Sequence, residues 1–275
     1  MSLRLSHKII LNFAIILIIP MLLSVYLVSS DLAERSEREI DNQLVFTTKI
    51  VNKFFFRSLN SIQVQLNILA GTEKFRAALE KSGSDETALL IKNWDEKLNY
   101  SFIDVYCQAS PAGRFELYAS VRKSKFDPAM APGDDALAKA ARGKNQSSIV
   151  FAGEQKAYFR CIIKPPENLV VNKTFVLCAY VQIPNESIDA IKDVTNIDVM
   201  IFDDKISVMS TRFDPSGRRT TGLKLDAEVV RRLEKSPSYR VNDKFLSDYT
   251  VNVYSKIFDE DKKFCGYMCV IVPRE

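Results

Sequence analysis

Residues 197–211 read IDVMIFDDKISVMST, and this stretch decides the fold of the C-terminal half of the 275-residue chain. Two short apolar runs, 198–202 and 206–210, flank the polar tripeptide Asp203-Asp204-Lys205. Short apolar runs separated by a polar turn are typical of a β-hairpin. The stretch therefore predicts two antiparallel strands and not a helix.

The residues after this hairpin predict one helix and three further strands. A loop with the tripeptide Phe213-Asp214-Pro215 comes first, and the helix is expected at about 226–235. The three strands are expected at 238–244, 249–257 and 264–272, with a turn at 259–263. The C-terminal half is thus predicted to be one five-stranded antiparallel sheet with a helix.

The preceding part of the chain predicts the same order of elements. A hairpin is expected at 103–107 and 115–121, followed by the tripeptide Phe126-Asp127-Pro128 and a helix at 135–142. Three strands are expected at 148–152, 156–163 and 174–182, and a short helix from Pro184 to about 194 joins the halves. The repeated order predicts two units of about 90 residues, each with a five-stranded sheet.

The N-terminal region predicts a membrane anchor. Residues 9–28 read IILNFAIILIIPMLLSVYLV, of which seventeen are apolar and none is charged. Twenty helical residues span about 30 Å, the thickness of the hydrocarbon layer. Arg4 and Lys8 precede the segment and acids begin at Asp31, so the N-terminus is expected in the cytoplasm and the bulk of the chain outside. The alternative, a cleaved signal peptide, has a shorter apolar region of about 7–15 residues.

A long helix is expected directly after the anchor. Residues 31–70 contain neither Gly nor Pro, and their apolar residues recur at steps of three, four and seven. These residues are Ile40, Leu44, Val51, Phe55, Ile62, Leu66 and Leu69. Two interpretations stay open: the helix packs along a sheet, or its first half also pairs with a second copy as a parallel homodimer. A second helix is expected at 85–98, with Trp94 packing against the sheet.

Composition argues against several classes of function. Lys and Arg total 38 against 34 acids, a net charge of +4, so no basic surface for nucleic acid is expected. The one histidine, His7, precedes the apolar segment, which argues against a His-based catalytic triad or metal site in the folded body. Glycine-rich nucleotide-binding motifs are absent from the sequence. We therefore expect no enzymatic activity, no cofactor and no metal.

The C-terminal unit resembles a known module. The stretch 197–211 is followed by Gly217-Arg218-Arg219 and Thr221-Gly222, then by the strand at 249–257 and by Cys265-Gly266-Tyr267. This order resembles the membrane-proximal Cache module, a PAS-like fold of bacterial transmembrane receptors, with Thr-Gly in place of the usual Gly-Thr. The first unit, with the long helix before it, is similar to the membrane-distal half of a double Cache domain.

The resemblance implies an α+β fold and an extracytoplasmic sensor. Proteins of this family are input domains of histidine kinases (two-component systems), chemoreceptors or diguanylate cyclases, and their output follows a second membrane helix, expected here after Glu275. The implied division is a tip and transmembrane anchor, a helical stalk, a distal unit and a proximal unit, at residues 1–30, 31–100, 101–194 and 195–275. The implied location is the inner membrane. The alternative is a stand-alone anchored binding protein without an output domain.

The resemblance also implies a small-molecule site on one face of the distal sheet, roofed by the loop and helix between its second and third strands. Strand alternation places Tyr118 and Arg122 on one face, opposite Leu117 and Ala119. Tyr106 shares a face with Asp104, and Tyr158 with Arg160. Because Arg binds a carboxylate with two parallel hydrogen bonds, the candidate ligand is a small carboxylate. The candidate ligand-binding residues are Tyr106, Tyr118, Arg122, Tyr158 and Arg160.

Two further groups of residues suggest weaker hypotheses. Arg212, Arg218 and Arg219 surround a turn and suggest an anion site in the proximal unit. Cys161 and Cys178 lie on strands expected to be adjacent, and an outer compartment would permit a disulfide between them. The alternative is that the five cysteines are buried small apolar residues.

Overall fold

The computed structural model describes residues 5–98, 100–110, 113–123, 127–153, 156–166, 173–204, 206–245, 248–258 and 262–273. The chain divides into two compact parts, residues 1–46 and residues 47–275. The first consists of the N-terminal part of the long helix, and the second holds the rest of that helix and both sheets. The predicted four-part division stays a prediction, and the tip at residues 1–4 lies outside the described residues.

Helix α1 runs from Leu5 to Gly71, so the apolar segment and the predicted stalk form one helix of 67 residues. It is the one helix among the described residues that is long and apolar enough to cross a membrane. Its large apolar side chains from Leu17 to Val28 are exposed. Exposed apolar side chains all along a helix are unlike the one-sided pattern of a helix packed on a soluble core.

The apolar face predicted for the long helix is buried, including Val51, Leu66 and Leu69, which are fully buried. Within residues 47–275 this face packs on the first sheet. The rings of Phe54 and Phe55 lie 6.3 Å and 5.8 Å from the ring of Phe159. The interpretation as a helix packed along a sheet is therefore confirmed, and pairing with a second copy stays a prediction.

Short helices connect α1 to the first sheet. Thr72 caps α2 (Glu73–Ala77) by accepting a hydrogen bond from the Phe75 N–H. One π-helical turn, Ala78–Ser82, leads into α3 (Gly83–Leu98), which lies against strand β2 (Glu116–Arg122). Gly83 has φ +82°, a conformation that favours glycine and marks the change of helix type. Trp94 on α3 is half-buried.

The first sheet has the spatial order β2-β1-β5-β4-β3, with all neighbours antiparallel. The remaining strands are β1 (Phe102–Gln108), β3 (Gln146–Ala152), β4 (Lys156–Ile163) and β5 (Thr174–Gln182). A 3₁₀ turn, Pro128–Met130, and α4 (Asp134–Ala141) connect β2 to β3 and cover one face of the sheet. The long helix packs on the other face, so the interior strands β1, β4 and β5 are largely buried on both sides.

The second sheet repeats this arrangement with the order β7-β6-β10-β9-β8. Its strands are β6 (Asp198–Phe202), β7 (Ser207–Ser210), β8 (Ser238–Phe245), β9 (Asp248–Phe258) and β10 (Phe264–Pro273). Helix α5 (Asn185–Thr195) joins the sheets, and α6 (Ala227–Lys235) packs on the second. The identical strand order confirms the predicted repeat and the α+β class.

The repeated Phe-Asp-Pro tripeptides organise loops through their aspartates. Asp127 accepts hydrogen bonds from the Gly153 and Ala129 N–H groups at 3.0 and 2.9 Å, and these bonds lower the pKa of its carboxyl. Asp214 accepts from the Ser216 hydroxyl and from the Arg218 N–H, which likewise lowers its pKa. The motif thus has a structural role in both units. Phe126 lies outside the described residues.

Candidate functional site

The covered face of the first sheet has an apolar centre. Met130 and Leu137, from the connection between β2 and β3, pack on Phe102, Tyr158 and Tyr180 of the strands. The rings of Tyr158 and Tyr180 lie 5.6 Å and 6.0 Å from the ring of Phe102. The roof predicted from the resemblance is therefore present, and side chains fill the space beneath its centre.

A cavity of about 370 Å³ opens beside this centre, towards the edge strand β3. It lies between the loop that leads into α4 and the strands β3 and β4. Its lining residues are Ala129, Ala131, Gly133, Asp135, Ala136, Lys139, Gln146, Ser147, Ser148, Arg160 and Lys263. The volume is in the range of small-molecule sites in proteins.

Arg160 lines this cavity from strand β4, and two hydrogen bonds orient its guanidinium. Its Nε donates to the Ser148 hydroxyl at 3.2 Å, and its Nη1 donates to the Met130 carbonyl at 3.3 Å. The same carbonyl accepts from the Tyr180 hydroxyl at 3.0 Å. Nη2 of Arg160 makes no hydrogen bond with a described residue. The strands thus orient a guanidinium that lines the cavity and retains donors for a ligand.

The charge of the cavity lining is positive. Three basic side chains and one acid are among its described residues. The acid, Asp135, lies 3.9 Å from Lys139, and its side chain is 87% exposed. The other two cations are Arg160 on β4 and Lys263, which directly precedes β10. This excess of positive charge favours an anionic ligand.

Arg122 and Tyr106 belong to a second polar cluster, centred on the fully buried Asp104. The guanidinium of Arg122 lies 3.2 Å from the Asp104 carboxylate, the Ser120 hydroxyl donates to it at 2.6 Å, and the Tyr106 hydroxyl donates at 3.4 Å. Burial, and then the Asp104 charge, raise the pKa of Tyr106, so its hydroxyl stays protonated and donates. The cluster is therefore an internal ion pair with its own hydrogen bonds.

Tyr118 lies on the opposite face from Arg122 because of a β-bulge. The pairing of β1 with β2 shifts between Val105 and Tyr106, which pair with Ala119 and Leu117. Tyr118 is the extra residue, and its ring lies 5.3 Å from that of Phe175. The predicted grouping of alternate residues along 115–122 is thus wrong, because a bulge interrupts the alternation.

Of the five residues predicted to bind ligand, Arg160 alone is among the described lining residues of this cavity. Tyr158 is buried in the apolar centre, and Tyr106 and Arg122 surround Asp104. Sequence reasoning missed Gln146 and Ser148, which pair across strands with Ile162 and Arg160. That pairing was the available signal, since cross-strand partners share a face.

The arginine-rich turn of the second unit holds neighbouring elements together. Arg219 pairs with Asp189 of α5 and donates to the Ser210 carbonyl at 2.8 Å. Its guanidinium also lies 4.8 Å from the centre of the Phe213 ring. The hydrogen bond to Asp189 raises the pKa of Arg219 further. These contacts give Arg219 a structural role, and an anion site at this turn stays a prediction.

Cys161 and Cys178 are free thiols, as are the other three cysteines. Cys161 pairs with Ala179 and Cys178 with Ile162, so the two thiols lie on opposite faces of the sheet. The disulfide hypothesis is therefore wrong. Burial raises the pKa of Cys178 to about 12, which is typical of an inert, buried thiol. Within the described ranges no three His, Cys, Asp or Glu side chains are grouped to hold a metal ion.

A comparison with protein families matches the C-terminal part of the chain. Residues 180–275 match the family described as Single cache domain 3. No curated protein matches the chain significantly. The matched segment begins in β5 and contains the whole second sheet.

Three solved structures are similar to this chain over most of its length. One is the periplasmic domain of Vibrio cholerae LuxQ, at 10% identity and a TM-score of 0.49, covering 84% of this chain and 99% of that one. Another is the ligand-binding domain of the Campylobacter jejuni chemoreceptor Tlp3 in complex with L-norvaline, at 16% identity and 0.47, covering 84% and 88%. The third is the sensor domain of the V. cholerae histidine kinase DctB, at 9% identity and 0.49, covering 86% and 97%.

The family match falls on the residues from which the resemblance was drawn. The first sheet repeats the strand order of the matched unit. Residues 180–275, about a third of the chain, therefore match the Single cache domain 3 family, and they belong to a chain with two five-stranded sheets of the same strand order.

Proposed function

We propose that the first sheet binds a small anionic ligand in the cavity at its β3 edge and that the chain is the extracytoplasmic sensing part of a membrane receptor. One observation carries this proposal: a cavity of about 370 Å³ is lined by the oriented guanidinium of Arg160 and by two lysines. The proposed activity is binding and not catalysis.

Arg160 is proposed to hold a carboxylate of the ligand. Its Nε and Nη1 are fixed by Ser148 and by the Met130 carbonyl, so little side-chain entropy is lost when a ligand accepts from the remaining donors. Because Met130 belongs to the connection that roofs the sheet, a ligand at Arg160 also stabilises the observed position of that connection. This arrangement replaces the predicted set of five residues with one centred on Arg160.

The proposed signal passes through strand β4 to the long helix. Arg160 faces the cavity, and the preceding residue, Phe159, faces the other side and contacts Phe54 and Phe55 of α1. A ligand that binds one position of β4 more tightly than another therefore shifts the packing of α1. Helix α1 is the element that contains the apolar membrane segment.

Replacing Arg160 by alanine is expected to abolish anion binding. In a thermal-shift screen of the detergent-solubilised chain against small carboxylates, amino acids, amines and nucleobases, we expect hits among carboxylates. A ligand at 100 times its dissociation constant adds about 2.7 kcal/mol to the free energy of unfolding. Arg160→Ala should remove this shift, and Arg160→Lys should retain part of it. Hydrogen exchange of residues 51–66 should slow on ligand addition in the unsubstituted protein only.

The matched control is Arg57→Ala, because Arg57 is exposed on α1 and is not a lining residue of the cavity. Circular dichroism would first establish that each variant folds. Undiminished binding by a folded Arg160→Ala variant would place the ligand site elsewhere. Hits confined to amines would contradict an anion site.

The membrane segment at residues 9–28 is proposed to cross the inner membrane once with the N-terminus inside, and the 31–70 helix to pair with a second copy. Ser36 is exposed just beyond the segment. In a variant with Ser36→Cys and the five native cysteines replaced by alanine, an impermeant thiol reagent should label intact cells. Oxidation should yield a cross-linked dimer. Labelling that requires cell rupture would contradict the orientation, and absence of the dimer would contradict the pairing.

A further inference from the structure

The cavity of the first unit has a wall residue from the second. The described lining residues other than Lys263 lie between Ala129 and Arg160. Lys263 precedes β10 of the second sheet and directly follows Lys262, whose φ is +60°. The described lining therefore combines residues around the first sheet with one residue that directly precedes a strand of the second sheet.

A close contact between the sheets lies next to this lysine. A Cβ atom on Gly266 would lie 2.9 Å and 3.1 Å from Cε2 and Cζ of Phe151. Phe151 belongs to β3, three residues after the lining residue Ser148, and Gly266 follows Lys263 by three residues. Because this contact joins β3 to the start of β10, it fixes Lys263 at the edge of the cavity.

The three basic side chains that line the cavity come from different elements of the fold. Lys139 has Asp135 as a neighbour within the same helix, at 3.9 Å. Arg160 lies on β4 of the first sheet, Lys263 directly precedes β10 of the second sheet, and both line the same cavity. A cation on each of two walls suits a ligand with two separated anionic groups, and a lysine ammonium on its flexible stem accommodates ligands of slightly different length.

We propose that Lys263 contacts the ligand and determines specificity by binding a second anionic group, while Arg160 binds the first. This inference rests on the proposed anion site at Arg160 and extends it. A dianionic ligand then bridges the two sheets, and a monoanionic ligand of equal length contacts the first sheet alone. Through Lys263, ligand binding in the cavity beside the first sheet thus affects residues 180–275, the segment that matches the Cache family.

The test compares carboxylate pairs of equal length by isothermal titration calorimetry on the full chain in detergent. The probes are malonate, succinate and glutarate against propionate, butyrate and valerate. Lys263 is exposed, so removal of its charge is expected to weaken the binding of dicarboxylates by about three- to fivefold. Lys263→Gln should leave the affinity for monocarboxylates within about twofold. The adjacent control, Lys262→Gln, should leave both classes unchanged.

The possible outcomes distinguish the role of Lys263 from the proposed anion site at Arg160, on which it rests. Selective loss of dicarboxylate affinity in Lys263→Gln supports the bridging role. Equal weakening of both classes, or no effect of Lys263→Gln while Arg160→Ala abolishes binding, overturns it and leaves the anion site standing. If the unsubstituted chain binds none of the six probes, the carboxylate site and the bridge both fail.

Discussion

Replacing Asp104 by alanine is expected to lower the free energy of unfolding by about 3 kcal/mol, because the change removes one partner of a buried ion pair. The Asp104 side chain is fully buried, and it accepts from Ser120, Arg122 and Tyr106. Its loss leaves the Ser120 and Tyr106 hydroxyls without this acceptor. The Arg122 side chain is one third exposed, so water offsets part of the loss on its side. A thermal or urea unfolding curve measures the effect.

The control for this variant is Asp193→Ala, since Asp193 is exposed on α5. We expect it to change stability by less than about 0.5 kcal/mol. Adding Arg122→Ala to Asp104→Ala should cost less than the sum of the two single changes, because they share one interaction. Additive effects, or an Asp104→Ala variant as stable as the parent, would contradict the assignment of Arg122 to this internal pair.

Replacing Gly266 by alanine is expected to destabilise the chain by about 2 kcal/mol through overpacking. The new Cβ would lie 2.5 Å from the Phe202 carbonyl oxygen, as well as against the Phe151 ring. The ring has some freedom to shift, but the carbonyl belongs to strand β6, which is paired on both sides. Relief therefore requires movement of the strands and of the contact between the sheets. The expected fall in melting temperature is about 4–8 °C.

Gly71→Ala is the matched control, because nothing lies within 4 Å of a Cβ at this position and the residue ends a helix. We expect no loss of stability there, and a gain of up to about 1 kcal/mol from the helix propensity of alanine. Equal effects of the two substitutions on the melting temperature would show that the sheets do not approach each other closely at Gly266.

Much of the fold was predictable from hydrophobic period alone. The predicted bounds of β4, β5 and β6 match the observed bounds at both ends. These strands are interior in their sheets, so their sequences are largely apolar over their whole length. The repeat was also predictable, because the two units carry the same order of strands, loop and helix.

The bulge in β2 was not predictable from the sequence. Because of this bulge, one of the predicted ligand-binding residues lies on the opposite face of the sheet. The sequence of β2, ELYASVR, continues the alternation without a break, and the shift exists only in its pairing with β1. Strand β2 lies at the edge of the sheet, where bulges are common. A single sequence does not record such a register change, so Tyr118 was placed on the wrong face.

The residues that line the cavity could not be predicted as a group, for a related reason. Arg160 was predictable from its strand, but the acceptor that fixes it is the backbone carbonyl of Met130, which any residue would supply. Lys263 directly precedes a strand of the other sheet, and nothing in its local sequence indicates proximity to Arg160. The glycine of Cys265-Gly266-Tyr267 was noted for its pattern, and the structure supplies the physical cause: the Phe202 carbonyl leaves no room for a side chain.

The central claim is that a small anion binds at Arg160 in the first unit. A crystal structure of the protein with the best carboxylate from the screen tests it most directly. The account predicts ligand density in the cavity between β3, β4 and α4, with a carboxylate oxygen within hydrogen-bond distance of the Arg160 guanidinium. Ligand density beneath α6 of the second sheet, with the cavity at Arg160 occupied by water alone, would contradict it.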